Sequence, residues 1–185
     1  KYAAHLRNLE PKDRRTRFLG TVSDDFITAH AKTVLASRNS RVIGWFLDGR
    51  LRGAVELCWD TDRSSEAAFS VDGMYRSCGV GIGLARRVIR AAQNLGLRSV
   101  TILTTADNNA MRKLGRRLGA SFQIDGREIE GELAVGKASI MSIVFETAEE
   151  ERAFALAAQR NVLDTLTGGL YSRTIRFWRG LPMVP

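Results

Sequence analysis

The sequence has 185 residues, 44% of them hydrophobic and 26% charged, and carries a net charge of +8. That length suits one domain with a substantial core plus a short appendage, and no run of about 18 apolar residues offers a membrane span. Two cysteines, Cys58 and Cys78, are too few for a disulfide framework, and no Cys/His cluster has metal-ligand spacing, so no metal is expected and the cytoplasm is the expected compartment. A basic surface attracts nucleotides, nucleic acid and anionic lipid alike, so the positions of the charges matter more than their sum.

Residues 2–18 mix His5, Leu6 and Leu9 with a basic cluster at Arg14, Arg15 and Arg17; a short first strand and a turn at 11–13 are expected there. The stretch 23–35 reads as a helix. Ser23 can cap it, Asp24 and Asp25 occupy its first turn, and Phe26, Ile27, Ala31, Val34 and Leu35 form an apolar stripe. Two apolar runs, 42–47 and 51–59, flank Asp48-Gly49-Arg50, a hairpin signal, and 66–71 reads as a further strand. Glycines at 79, 81 and 83 open a helix that Gly96 closes. A strand over 99–104, a helix over 108–118 and strands over 122–124, 132–135 and 140–145 complete the pattern. This order predicts an α/β (mixed-sheet) fold, with the strands at 66–71 and 99–104 parallel across a right-handed helical crossover. Residues 1–146 would form that domain. Residues 147–185 would be an extension: a helix over 148–166, a break at Gly168-Gly169, and an aromatic-basic tail around Trp178 that is read as packing on protein.

The informative stretch is Arg76-Ser77-Cys78-Gly79-Val80-Gly81-Ile82-Gly83, between a strand and a helix. Glycines let the backbone turn sharply and present bare N–H groups, and the helix start adds partial positive charge, so the place suits a pyrophosphate. Arg76 can add a charge-assisted hydrogen bond. The spacing is not the Gly-x-Gly-x-x-Gly of a dinucleotide fold, and no Gly-Lys-Ser/Thr follows as a Walker loop requires. A plain glycine turn before a helix is the bland alternative.

Arg76-x-x-Gly79-x-Gly81 resembles the pyrophosphate signature of GNAT (Gcn5-related) N-acetyltransferases, and the order of elements from Tyr2 to Phe145 is similar to that fold. Asn108, Met111, Leu114 and Gly119 resemble the Asn-containing helix of the family. The segments His5–Leu9, Arg14–Phe18 and Asp48–Gly53 look like a bacterial subgroup with no firmly assigned substrate. The resemblance implies acetyl-CoA as co-substrate, a small-molecule or protein amine as acceptor, and a possible homodimer. It assigns Ser77, Cys78, Gly79, Val80 and Gly81, with Arg76 and Asn108, to CoA, and a backbone N–H at Ser70–Val71 to the thioester oxygen. The Cys78 side chain is read as pointing away from ligand, and Cys58 as a packing residue on its strand.

An amine must shed a proton before it attacks a thioester, and the resemblance implies Glu66 as the general base, with Glu56 and Asp72 as substitutes. Many relatives carry a Tyr on the Asn helix to protonate the leaving thiolate; here Gly115 follows Leu114. That gap keeps open an alternative, a non-catalytic acyl-CoA-binding or sensing protein. His5 and His30 are isolated and read as structural or surface residues. The arginines at 86, 87, 90, 112, 116 and 117 read mostly as solvated helix faces, some within reach of the adenosine 3′-phosphate, and no nucleic-acid reader motif accompanies them.

Overall fold

In a computed structural model the described residues are 1–60, 63–126 and 128–136. The expected strand over 140–145, the boundary at 146/147 and the extension 147–185 lie outside them. Among the described residues no helix is long and apolar enough to cross a membrane.

The chain opens with two helices, α1 (Tyr2–Arg7) and α2 (Pro11–Phe18), where a strand and a turn were expected. The correction has a physical reason. Tyr2, Leu6 and Leu9 are buried together with His5, a three-and-four spacing that only a helical turn brings to one side. Pro11 then starts α2 at its first position, where the missing N–H has no helical partner to lose. Helix α3 (Asp24–Ala36) is capped as expected, Ser23 Oγ accepting from the Phe26 N–H at 3.1 Å. Its buried stripe is Ile27, Ala31 and Val34, while Phe26 and Leu35 face solvent.

Strands β1 (Ser40–Leu47) and β2 (Arg50–Trp59) form the expected hairpin, with φ of 51° at Asp48 and 71° at Gly49 as a type I′ turn requires. β3 (Ser65–Val71) follows, then a single 3-10 turn, α4 (Val80–Asn94), β4 (Ser99–Thr105), α5 (Asn109–Arg117), β5 (Ser121–Asp125) and β6 (Glu128–Ala134). The sheet order is β1-β2-β3-β4-β6-β5, all pairs antiparallel except β3 with β4.

Alternate residues of a strand face opposite sides, and the core divides accordingly. Val55, Leu57, Ala67, Val100 and Ile102 meet the buried side of α4, Leu84, Val88 and Ala92. Ala54, on the other side of β2, meets Tyr2, Leu6, Ile27 and Ala31 from α1 and α3. The result is a mixed sheet between two helical layers, with one parallel junction at its centre.

Candidate active site

The parallel strands β3 and β4 are in register only at Glu66 and Thr101, whereas β2 and β3 pair along their length. A Ser65 hydroxyl donating to the Ser99 carbonyl at 2.6 Å adds one link at the same end. Beyond it the strands part, and a groove of about 700 Å³ opens between them. Its walls are α2, the end of β3, the start of α4 and the turn into α5. Of the residues singled out in the sequence, Ser70, Val71, Arg76, Ser77, Gly79, Gly81 and Asn108 line it. Cys78 is exposed beside it, Val80 is a core residue, and Glu66 is exposed at the paired end of the strands, outside the lining.

The loop before α4 is bent by two residues with left-handed backbone, Ser77 at φ 59° and Gly79 at φ 83°. Gly79 fits that conformation without penalty, and a Cβ there would meet open space. No side chain caps α4, so the first-turn N–H groups are available to a ligand. Arg76 reaches back to the Val71 carbonyl at 3.4 Å and forms an ion pair with Asp13 of α2 across the groove. Asn108 is held at both ends of its amide: its Oδ1 accepts from the Met111 N–H at 3.2 Å and its Nδ2 donates to Thr104 Oγ1 at 2.9 Å, fixing α5 to the end of β4.

Glu56 is buried on β2, outside the groove lining. Its Oε2 accepts from the Tyr2 hydroxyl at 2.6 Å and from Arg17 Nη2 at 2.8 Å, and lies 2.9 Å from His30 Nε2. Burial would raise this carboxyl, but the Arg17 charge and the hydrogen bonds of Tyr2 and His30 outweigh it and hold it below the usual range. A carboxylate so occupied is a poor proton acceptor. Burial also pushes the Tyr2 hydroxyl well above its ordinary range, so it stays a donor. The Cys58 thiol, desolvated and beside Glu56, is pushed up to about 11. Arg17 itself lines the groove, and its guanidinium stacks over Phe18 at 5.0 Å.

Asp72, at the end of β3, meets His5 Nδ1 at 3.1 Å and Arg52 Nη1 at 3.3 Å. His5 and His30, expected as structural or surface residues, are the partners of Asp72 and Glu56. The available signal for His5 was its place in the Tyr2, Leu6, Leu9 stripe, a polar residue where the pattern calls for an apolar one.

Gly115 has a packing reason. A Cβ at that position would stand 2.5 Å from Cζ of Phe122, whose ring fills the space. No tyrosine fits there while Phe122 keeps its place.

A family model described as the acetyltransferase (GNAT) family matches residues 5–120. Among solved structures, the GNAT domain of S. lividans PAT is 16% identical over 71% of this chain and 82% of that one, with a TM-score of 0.61. A spermidine N-acetyltransferase from Vibrio cholerae, solved with CoA and spermine, is 17% identical over 72% and 89%, with a TM-score of 0.60. A PaiA N-acetyltransferase from Thermoplasma acidophilum, solved with coenzyme A, is 14% identical over 71% and 92%, with a TM-score of 0.54. At these identities the likeness is one of fold.

Proposed function

This chain belongs to the acetyltransferase (GNAT) family, and from that premise we propose that it moves the acetyl group of acetyl-CoA to a primary amine by direct attack in a ternary complex. The observation that carries the reading is the groove itself: parted parallel strands leading to an uncapped helix start behind a bent glycine loop. The backbone of Ser77, Cys78, Gly79, Val80 and Gly81 would hold the pyrophosphate, with Arg76 exchanging Asp13 for a phosphate oxygen. The pantetheine arm would lie along β3 as an added strand, taking the hydrogen bonds that β4 leaves open. A backbone N–H at Ser70–Val71 would face the thioester oxygen as charge develops on it. Asn108, already bound to Thr104 and Met111, would serve by holding the α5 wall.

Acetyl-CoA supplies the activated acyl group and a thiolate leaving group. For the base we propose Glu66. It is exposed outside the groove lining, four residues before Ser70 on the same side of β3, so it would act on the ammonium through water. Alignment of amine and thioester supplies the rest.

A second reading, an acyl-CoA-binding protein with little turnover, is favoured by one observation: the Phe122 ring bars a tyrosine acid at position 115. Calorimetry with acetyl-CoA on the wild type and on a Gly79→Val/Gly81→Val double variant tests both. Wild-type binding of micromolar order, about 8 kcal/mol, lost in the folded variant supports the groove as the CoA site. Absence of binding to the wild type overturns it. CoA release with an amine panel starting from spermidine then separates transfer from binding alone.

A further inference from the structure

We infer that Ser70, His5 and Asp72 form a proton relay that carries the second proton of the attacking amine to the departing thiolate. The inference rests on the acetyl transfer proposed above and supplies the acid that Phe122 excludes from position 115.

Ser70 lies on β3 at the groove, and its Oγ is 2.9 Å from His5 Nε2 and 3.4 Å from the Ala54 carbonyl. His5 comes from α1, distant in sequence, and is 3% exposed. Its Nδ1 lies 3.1 Å from Asp72 Oδ1, an approach off the line of a straight hydrogen bond. The carbonyls of Leu51 and Ser70 lie against the ring, and the charged groups facing it are Asp72 and, through Asp72, Arg52. A carboxylate beside Nδ1 favours the proton on that nitrogen, and Nε2, at 2.9 Å, then competes for the Ser70 proton with the Ala54 carbonyl at 3.4 Å. Burial lowers the proton affinity of the ring, with Asp72 pulling the other way, so at neutral pH the imidazole is uncharged and able to take a proton. An apolar side chain in the Tyr2, Leu6, Leu9 stripe would fill the place without a buried polar ring.

An alkylammonium loses two protons on its way to an amide. The first leaves before attack, through water to Glu66. The second leaves nitrogen once the N–C bond has formed: it passes to Ser70 Oγ while the Ser70 proton passes to His5 Nε2. As the C–S bond breaks, the proton on Nε2 returns to Oγ and the Oγ proton goes to sulfur. Ser70 and His5 end as they began, and the products are the acetamide, CoA thiol and one released proton. Ser70 touches the reacting atoms; His5 and Asp72 are positioning residues that act through it.

The first test reads the imidazole directly. The sequence has two histidines, so long-range nitrogen–proton NMR with a His30→Gln variant for assignment isolates His5. The expected result at pH 7 is a neutral ring protonated on Nδ1, whose Nε2 shift moves when acetyl-CoA is added. A ring protonated on Nε2, or charged, overturns the relay whether or not acetyl-CoA binds. Failure of acetyl-CoA to bind, seen by calorimetry, instead overturns the proposed function.

The second test is kinetic, with spermidine and lysine as probe amines. His5→Gln and Ser70→Ala should lower kcat about a hundredfold, the usual scale for losing a positioned acid–base group, with acetyl-CoA affinity within about twofold. Asp72→Asn should move the acid limb of the kcat profile to lower pH, because the charge that raises the His5 pKa is gone. A purely structural role would move stability and KM but leave that limb in place. A folded His5→Gln protein with unchanged kcat overturns the relay. So does an acetyl adduct on Ser70 by mass spectrometry, which would make the serine a nucleophile.

Discussion

Replacing Glu56 with alanine is the sharpest test of how α1, α2 and α3 are tied to β2. The side chain is 7% exposed and gathers Tyr2, Arg17 and His30 on one oxygen. Its removal strands the Arg17 guanidinium, whose side chain is 8% exposed, without its carboxylate. Breaking a buried ion pair from one side costs about 3–5 kcal/mol, and the Tyr2 hydroxyl, left without its acceptor, adds about 1–3 kcal/mol more unless water replaces it. Equilibrium urea unfolding should therefore show Glu56→Ala destabilised by about 4 kcal/mol. Removing the stranded charge as well should recover part of the loss, so Glu56→Ala/Arg17→Met should be more stable than Glu56→Ala alone. A single-variant loss below about 1 kcal/mol would refute the reasoning, because it would put this pair in the class of solvent-screened surface bridges.

The same carboxylate sets a pH dependence. Its folded pKa is depressed, so its contribution to stability is present above the unfolded value of about 4.3 and is lost as pH falls through the lower folded value, and acid unfolding of Glu56→Gln should lack that component. Gly115→Ala should destabilise by about 1–3 kcal/mol because its Cβ meets Phe122, and Phe122→Leu should relieve it; thermal melts of the three proteins decide. Asp13→Asn frees Arg76 from its ion pair and should tighten acetyl-CoA binding about two- to fivefold, the scale of a partly exposed pair, measured by calorimetry. Iodoacetamide should label exposed Cys78 well before Cys58, whose thiol stays protonated to about pH 11, with peptide mass mapping as the readout.

Regular elements with a clear period were legible in the sequence. The glycine-flanked α4, the Ser23 cap, the Asp48-Gly49 hairpin and the parallel β3–β4 unit each follow from local chemistry that tertiary packing leaves undisturbed. The N-terminal segment was not, because α1 is six residues long and shows a single helical repeat, too little to set a period against the strand alternative. The glycine loop was legible because turn, helix start and arginine lie together in sequence. The carboxylate networks were not. Glu56 meets Tyr2 across 54 positions, and Ser70 meets His5 across 65, and no spacing rule connects residues whose contact depends on where α1 lands on the sheet. Gly115 was visible as a departure, but its cause, the Phe122 ring, arrives from the next strand.

The single rung between β3 and β4 also bears on how the molecule breathes. Mechanically the sheet is two antiparallel ribbons, β1-β2-β3 and β4-β6-β5, joined at one end and bridged by α4. Backbone amides within each ribbon are bound along their length and should exchange with solvent only on large openings, whereas those of Ala67–Val71 that point toward the groove have no register partner on β4 and should exchange within the fastest class of the sheet. A ligand laid along β3 would act as the absent strand, so hydrogen exchange at those few amides would report its arrival before any turnover is measured. The two ribbons would then cease to open independently and would behave as one cooperative unit.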